Sequence, residues 1–220
     1  MGIVLKNGLV VTQNEQRQVF QGDLLIEGDT ITDISKQIPV DKHLEYDCNG
    51  LVIIPGLVQS HVHLCQTLFR NIAENLSLLE WLQKYIWPLE KAHSEDSLRA
   101  SVRLGLSELL LSGTTCILDM GSGKSQEAIF QEMTHSGMRG ASGMVMMDQG
   151  EELFTTDTDY LLKQAEELIR VWHHKENQRL QYALAPRFIL SCSENLFRGV
   201  RNLAQKYDLL IHSHAGETQQ

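Results

Sequence analysis

Two short histidine motifs contain the residues of this chain best suited to chemistry. His61-Val62-His63 follows the apolar run Leu51 to Pro55, and His212-Ser213-His214 ends another apolar stretch. Side chains two positions apart on a strand point to the same side, so the imidazoles of one motif can reach the same ion. Neutral imidazole is a preferred ligand of zinc and similar divalent metals. A lone His-x-His is more often part of a half-buried strand, and the second motif favours a metal site.

An acidic residue accompanies the second histidine motif. Glu217 lies three residues after His214, in the sequence His214-Ala215-Gly216-Glu217. A carboxylate at this place can accept a proton from a metal-activated water and return it to a leaving group, as general base and then general acid. The alternative is that Glu217 opens a helix, where negative charge stabilises the helix dipole. The neighbouring His214 favours the catalytic role.

Composition limits the classes of protein to consider. The chain has 220 residues, 42% of them hydrophobic, which is enough to bury a substantial core. Its formal net charge of −9, without a basic cluster, argues against a nucleic acid partner. No apolar run approaches the ~20 residues of a membrane span, and the first residues lack a signal-peptide core, so the sequence predicts a cytoplasmic protein without membrane contact. The four scattered cysteines predict reduced, packed thiols.

Residues 1–50 have the pattern of a small antiparallel β module. Short apolar runs alternate with turn residues, and Asn7-Gly8 and Glu27-Gly28-Asp29 are hairpin-type turn signals. From Leu51 the pattern changes to strands and helices that alternate about every thirty residues, which is typical of βα units around a parallel sheet. The sequence therefore predicts two parts, 1–50 and 51–220.

Five parallel strands and the helices between them are predicted in the second part. The first strand includes Val58, and the later strands are expected at Thr114–Asp119, Arg139–Met147, Leu180–Ala185 and Leu209–His214. Helices are expected at Leu76–Lys84, Ser94–Leu111, Ser125–Ser136, Asp157–His174 and Ser193–Tyr207, with Ser94 as an N-cap and Gly113 past the end of its helix. A closed (β/α)8 barrel needs ~250 residues, so these five strands do not close one, and we expect an α/β fold that is the N-terminal part of a longer protein.

The ordered set of motifs resembles the metal-dependent amidohydrolase superfamily. The matching segments are Pro55-Gly56-Leu57-Val58-Gln59-Ser60-His61-Val62-His63-Leu64, Leu78-Leu79-Glu80-Trp81-Leu82, Trp87-Pro88-Leu89-Glu90, Gly113-Thr114-Thr115 and His214-Ala215-Gly216-Glu217. The chain is most similar to the branch with the S-adenosylhomocysteine, methylthioadenosine and 5′-deoxyadenosine deaminases, the guanine deaminases and the triazine chlorohydrolases. The resemblance implies a metal-containing (β/α)8 barrel with a small β-sandwich, of which this chain holds the N-terminal portion.

The same resemblance implies the metal centre. His61, His63 and His214 would be ligands of one divalent metal, expected to be zinc, with iron or nickel as alternatives. A bound metal can lower the pKa of water from about 16 to about 7, and Glu217 would then move the proton to the departing amine. By alternation His212 faces the same side as His214, and we assign it to packing or to support of the ligands.

The resemblance also implies residues for substrate binding. Trp81 and Glu90 lie where adenosine-type deaminases contact the nucleoside, with Glu90 placed for ribose hydroxyls. Gln66, three residues after His63, can donate to and accept from a heterocycle edge. Arg187 and Phe188 are similar to the pair with which guanine deaminases hold the purine, whereas relatives acting on thioadenosines commonly have histidine at the position of Arg187. Each side chain also has a structural alternative, helix core for Trp81 and a strand-end ion pair for Arg187.

These implications give a first hypothesis and its alternatives. We expect hydrolytic deamination of an adenosine-like purine nucleoside, with metal-bound hydroxide attacking the ring carbon and release of ammonia. Guanine deamination and triazine dechlorination are alternatives within the same chemistry. The hypothesis from another class is an inactive truncated fragment that needs a partner segment, since the family completes its site with a histidine and an aspartate from later strands. The expected partners are a small purine or related N-heterocycle and further copies of the parent chain as a homo-oligomer.

Overall fold

The computed structural model describes residues 2–150 and 155–217. They form two compact units, one up to Gly56 and one from Leu57 onward. The first unit consists of strands, and the second alternates strands with helices. Among the described helices, none combines the length and the apolar character needed to cross a lipid bilayer.

The first unit is a five-stranded sheet. Its strands are β1 Ile3–Val11, β2 Val19–Glu27, β3 Thr30–Ser35, β4 Leu44–Asp47 and β5 Val52–Ile53. They follow the order β3-β2-β1-β4, and β5 also pairs with β1. The pairs β1–β2 and β2–β3 are antiparallel, whereas β4 and β5 run parallel to β1. The predicted turn at Glu27-Gly28-Asp29 connects β2 to β3.

The prediction of a hairpin turn at Asn7-Gly8 is wrong. Both residues lie inside β1, where the register against β2 shifts between Leu5 and Gly8. Asn7 has a φ of 60°, and its amide donates to the carboxylate of buried Asp23 at 2.9 Å. The residue types that make tight turns also make β-bulges, because both need a positive φ. The chain therefore bends here without reversing.

The second unit is built on a parallel sheet. Its strands are β6 Leu57–Val62, β7 Thr114–Asp119, β8 Arg139–Ser142, β9 Val145–Met146, β10 Leu180–Pro186 and β11 Leu210–Ile211. The order is β11-β10-β8-β7-β6, with β9 beside β10, and every one of these pairs is parallel. Consecutive parallel strands joined by helices form part of a (β/α)8 barrel. The predicted fold class is confirmed.

The third predicted strand of this sheet is interrupted at Gly143. It divides into β8, which ends at Ser142, and β9, which begins at Val145. A Cβ atom on Gly143 would lie 1.7 Å from the carbonyl oxygen of Ala183, so only glycine allows this approach. Between the two strands, the amide of Met144 donates to the Tyr182 hydroxyl at 3.1 Å.

Helices cover the sheet and connect its strands. They are α1 Leu78–Trp81, α2 Trp87–Ala92, α3 Glu95–Leu111, α4 Gln126–Ser136, α5 Thr158–Trp172, α6 Lys175–Gln178 and α7 Glu194–Tyr207, with 3-10 helices at Leu64–Phe69 and Ile189–Ser191. Helix α3 begins as predicted, because the Ser94 hydroxyl accepts from the Ser97 amide at 3.2 Å. The long helices α3, α4, α5 and α7 bury one apolar cluster together with residues of β7 and β10.

The helix expected at Leu76–Lys84 extends further than predicted. After α1 the chain makes one π-helical turn, Leu82–Ile86, and α2 then continues to Ala92. Pro88 lies in the first turn of α2 and has no amide hydrogen to donate to the preceding turn. In the π turn before it, the Trp87 amide donates to the Leu82 carbonyl five residues back. Trp87 belongs with Met120 and Val145 to a second apolar cluster.

Candidate active site

The structure brings the three predicted histidine ligands together. His61 and His63 lie at the end of β6, and His214 follows β11, where it forms a bridge with Phe188. The Nε2 atoms of His63 and His214 are 3.0 Å apart. One ring nitrogen from each of the three side chains lies within 4.8 Å of the others. Three imidazoles thus converge at the carboxyl ends of parallel strands, where barrel enzymes build their active sites.

The surroundings of His214 fix which of its ring nitrogens is free. Its Nδ1 lies 2.8 Å from the carbonyl oxygen of Arg187, and its backbone amide donates to the same oxygen at 3.0 Å. A carbonyl oxygen only accepts, so Nδ1 carries the hydrogen and Nε2 keeps its lone pair. The ring of His214 is therefore oriented with a metal-binding nitrogen towards the cluster.

The electrostatics of the cluster favour neutral imidazoles. Burial holds the pKa of His63 well below its usual value, and the nearby cation of Arg187 lowers it further. Burial also lowers the pKa of His61, with a smaller effect from His214. Metals bind the neutral form of histidine, so these lowered pKa values favour the competent state of His61 and His63. The donor set fits one divalent metal of the borderline class.

A second group of potential ligand atoms fits a metal less well. Side-chain atoms of His63, Cys65 and Glu90 also lie within 4.8 Å of one another. Burial raises the pKa of the Cys65 thiol well above its usual value, which disfavours the thiolate that metals bind. The Glu90 carboxylate is held by Arg187 and Gln66. The three histidines are therefore the better site.

A cavity of about 210 Å³ lies beside the histidines. It is lined by eight of the nine site residues expected from the sequence, together with Leu82: His61, His63, Gln66, Trp81, Arg187, Phe188, His214 and Glu217. The ninth, Glu90, borders a neighbouring cavity of about 340 Å³ that shares Arg187. Aromatic walls and a few convergent polar groups are typical of a small-molecule site.

Glu90 and Arg187 bind each other. The Arg187 guanidinium donates to both oxygens of the carboxylate, at 2.7 and 3.2 Å, and Gln66 Nε2 donates to Glu90 Oε1 at 2.7 Å. The Arg187 side chain is only 4% exposed and lies over the Trp87 ring, 5.9 Å from its centroid. Glu90 and Arg187, which we expected to contact different parts of a substrate, thus form one ion pair. Their spacing in the sequence did not reveal this contact.

His212 contacts the cluster from the side. Its Nε2 lies 2.8 Å from His61 Nδ1, and its amide donates to the Leu184 carbonyl at 2.8 Å. Burial lowers the pKa of His212 to about 4, so this ring is neutral as well. The contact places His212 where it can orient the His61 imidazole.

Two buried polar residues near the cluster received no role from the sequence. Asp119 ends β7 with no exposed surface, and burial raises its pKa to about 6. His93, which precedes the N-cap of α3, is 6% exposed. The position of Asp119 at the carboxyl end of a strand was the only signal in the sequence, since the partners of both residues are distant along the chain.

A parallel α/β sheet with three imidazoles converging at the carboxyl ends of its strands is the arrangement of a barrel protein with a candidate metal centre. The family model of the amidohydrolase family matches residues 52–220. The chain belongs to that family, as the sequence motifs predicted.

Curated relatives with assigned activities are similar along almost the whole chain. A 5′-deoxyadenosine deaminase of Methanocaldococcus jannaschii is 37% identical over 218 residues, which are 98% of this chain and 49% of the relative. A 5-methylthioadenosine/S-adenosylhomocysteine deaminase of Thermococcus onnurineus is 34% identical over 221 residues, covering 99% of this chain and 50% of that protein. The chain spans about half the length of these relatives.

Solved structures share the fold. Guanine deaminase from C. acetobutylicum with bound guanine superimposes with a TM-score of 0.88 at 25% identity, over 100% of this chain and 54% of that one. Atrazine chlorohydrolase from Arthrobacter aurescens complexed with zinc gives a TM-score of 0.89 at 24% identity, over 98% of this chain and 53% of that one. At this identity the second similarity shows the fold alone.

Proposed function

We propose that the protein containing this chain is a hydrolytic deaminase of an adenosine-like purine nucleoside, such as 5′-deoxyadenosine, methylthioadenosine or S-adenosylhomocysteine. The observation that carries the proposal is the convergence of His61, His63 and His214 beside a cavity that Glu217 also lines. The similarity to deaminases over 98% of the chain supports the reaction type. In the reaction, the exocyclic amine of the ring is replaced by oxygen and leaves as ammonia.

In this proposal the three histidines hold one divalent metal. Zinc is the proposed ion, with iron and nickel as alternatives, because imidazole suits all three. When bound, such a metal lowers the pKa of a coordinated water enough to supply a nucleophile at neutral pH. The carbonyl of Arg187 holds the His214 ring, and His212 supports that of His61.

Glu217 is the proposed proton carrier. Its carboxylate lines the same cavity as His61 and His214 and is not needed to complete the histidine set. In the proposal it accepts a proton from the attacking water and delivers it to the departing amine. The side chain of Glu217 is exposed at this cavity, so water and a substrate can both reach its carboxylate.

The remaining cavity residues are proposed to hold the substrate. Trp81 and Phe188 offer aromatic surface for a purine ring, and Gln66, whose amide nitrogen contacts Glu90 and His63, offers its amide oxygen to the ring edge. Glu90 is proposed to accept ribose hydroxyls from the adjoining cavity, where Arg187 already binds it. The two cavities share Arg187 as a lining residue, which in this proposal lies between the purine ring and the ribose.

Guanine deamination is the second candidate. The specific observation that favours it is the presence of Arg187 and Phe188 side by side in the wall of the cavity, with part of the guanidinium not used by Glu90. A guanidinium has five N–H donors, and a purine carbonyl is a suitable acceptor.

We retain the division into a β part, residues 1–50, and a barrel part, residues 51–220, as part of the proposal.

Ammonia release tests the proposal. The intact protein, loaded with zinc, is incubated separately with adenosine, 5′-deoxyadenosine, methylthioadenosine, S-adenosylhomocysteine and guanine. We expect turnover of at least one nucleoside with kcat/KM well above that for guanine. Turnover of guanine alone would move the assignment to the second candidate, and no release from any purine would overturn the deaminase proposal.

A further inference from the structure

The backbone that follows His63 is held by three buried side chains from distant parts of the sequence. The Leu64 amide donates to Asp119 Oδ1 at 2.9 Å. The Leu64 carbonyl accepts from the Ser101 hydroxyl at 2.8 Å, and the Cys65 carbonyl lies 2.8 Å from His93 Nε2. A carbonyl only accepts, so that His93 nitrogen carries a hydrogen. Asp119, Ser101 and His93 are all buried.

This segment needs partners from outside because it begins a helix. Leu64 is the first residue of the 3-10 helix Leu64–Phe69, and the His63 side chain makes no capping bond. The first amides of a helix have no partner within it. The pairing between β6 and β7 brings the Met120 amide to the Val62 carbonyl at 2.8 Å, and the neighbouring Asp119 carboxylate accepts from the Leu64 amide, the first of this helix.

Asp119 is itself held in place by a chain of buried hydrogen bonds. Its Oδ2 accepts from the Ser142 hydroxyl at 2.7 Å, and Ser142 accepts from Gln126 Nε2 at 2.8 Å. Gln126 Oε1 in turn accepts from the Ser122 amide at 2.9 Å. The chain of bonds runs from the start of α4 through the ends of β7 and β8 to the residue next to His63, so the Asp119 carboxylate has little freedom to move.

We propose that Asp119, Ser101 and His93 are positioning residues, which fix the Leu64–Cys65 backbone and thereby aim the His63 imidazole at the point shared with His61 and His214. The proposal rests on the metal centre of the proposed function. It assigns a role to three residues that touch neither a ligand nitrogen nor the substrate cavity. Groups that orient metal ligands typically change metal affinity by about 10- to 100-fold when they are removed.

Hydrogen bonding and charge predict different results for two substitutions of Asp119. Asp119→Ala removes both acceptors. Asp119→Asn keeps an acceptor for the Leu64 amide, and its amide nitrogen can donate to Ser142, whose oxygen has a second lone pair. If Asp119 acts by position, the asparagine variant retains zinc affinity, whereas a role based on charge requires both variants to lose it.

Asp148 provides the matched control. It also follows a strand of the sheet and accepts hydrogen bonds, from Thr158 at 2.6 Å and from the Ser193 amide at 2.6 Å. None of these partners adjoins a histidine of the cluster. Asp148→Ala should therefore lower the unfolding midpoint in urea without changing the Kd for zinc.

The experiment measures zinc binding to the metal-free intact protein by competition with a chromogenic chelator, beside urea unfolding of each variant. We expect Asp119→Ala to raise the Kd for zinc by about 10- to 100-fold, Asp119→Asn to stay close to the unchanged protein, and Asp148→Ala to bind zinc normally. Ser101→Ala, which removes one bond to the same backbone, is the substitute if Asp119→Ala does not fold, with a smaller expected increase.

Three results would overturn the proposal. They are normal zinc affinity in the folded Asp119→Ala or Ser101→Ala variant, an equal loss in Asp119→Asn, and an equal loss in Asp148→Ala. Failure of the protein without substitutions to bind zinc would overturn the proposal too, because the proposed metal centre would then be wrong. Zinc binding without ammonia release from any purine overturns only the proposed function and leaves the positioning role intact.

Discussion

The Arg187 guanidinium occupies both oxygens of the Glu90 carboxylate, with N to O distances of 2.7 and 3.2 Å. Gln66 donates to Oε1 of the same group at 2.7 Å, and the Cys65 thiol lies 3.9 Å from that oxygen, so at most one of its roughly four acceptor positions is free. The two hydroxyls of a ribose need two positions. Full recognition of a ribose by Glu90 therefore requires one bond from Arg187 or Gln66 to break, which links the choice of substrate to this ion pair.

A double-mutant cycle measures that link. We expect Glu90→Ala to raise KM for an adenosine-type nucleoside more than for guanine, because only the nucleoside offers a ribose. Arg187→Ala leaves the Glu90 carboxylate without its cation. The change in activation free energy of the double variant should therefore differ from the sum of the two single changes by about 0.5–3 kcal/mol. Steady-state ammonia release on both substrates gives the values. Additive effects, or equal changes in KM for both substrates, would contradict the coupling.

The histidine cluster predicts the effect of removing one ligand. His61→Ala, His63→Ala or His214→Ala in the intact protein should abolish deamination and reduce bound metal, because one open position weakens control of the metal and its water. Elemental analysis and ammonia release measure the two effects. His135→Ala is the control, since that side chain is 71% exposed on α4. Full activity in a metal-free preparation would exclude the metal centre.

Glu217 should separate metal binding from turnover. Glu217→Gln keeps the size of the side chain but removes its ability to accept a proton, so we expect metal content to stay unchanged and kcat to fall by ~10²–10⁴-fold. Glu194→Gln, at a carboxylate 76% exposed on α7, is the control and should retain activity. Loss of metal with unchanged kcat per bound metal would show that Glu217 is a ligand.

Helices α5 and α7 are linked by a carboxylate that predicts a pH dependence of stability. Glu166 accepts from Lys206 and Tyr207 at 2.7 Å each, and these bonds lower its pKa from 4.5 to about 2. A lowered pKa in the folded state stabilises the protein above the unfolded value, and this contribution is lost as the pH falls from 4.5 to about 2. Glu166→Gln should reduce this loss of stability, measured as the free energy of unfolding in urea at several pH values across this range. Glu167→Gln, an exposed neighbour on the same helix, should leave it unchanged.

The two outer strands of the parallel sheet predict the behaviour of the 220-residue chain expressed by itself. β6 and β11 are the end strands of the sheet order, and Val58 and Leu210 on them are 69% and 64% exposed. Unpaired strand edges with apolar side chains are templates for association. We expect light scattering to show self-association and ammonia assays to show no turnover. A stable monomer with repeated turnover would contradict this expectation.

Periodicity and motif spacing predicted the alternation of strands and helices because those signals are local. The strand that ends at Asp119 and the N-cap at Ser94 were confirmed for this reason. Local signals were misleading at Asn7-Gly8, where a bulge and a turn need the same residue types. They also failed at Gly143, where the break in the strand depends on the Ala183 backbone 40 positions away.

The meeting of the three histidines could be predicted because parallel strands present their carboxyl ends at one edge. The hydrogen bonds around them could not. The bonds of Asp119 to Leu64 and of Arg187 to Glu90 join residues 55 and 97 positions apart. No spacing along the chain encodes such contacts, since they depend on how the helices and loops pack over the sheet.

The close backbone approach at Gly143 has a counterpart at Gly121, where a Cβ atom would lie 1.7 Å from the Gly143 carbonyl oxygen. The backbone therefore packs closely in sequence at Ala183, Gly143 and Gly121. The carbonyl of Ala183 leaves no room for a methyl group on Gly143, and that of Gly143 leaves none on Gly121. In a saturation mutagenesis map, both glycines would stand out as sharply as the histidines, although neither lines the cavity beside them. Intolerance to substitution in this part of the barrel thus reports the spacing of its strands as well as its chemistry.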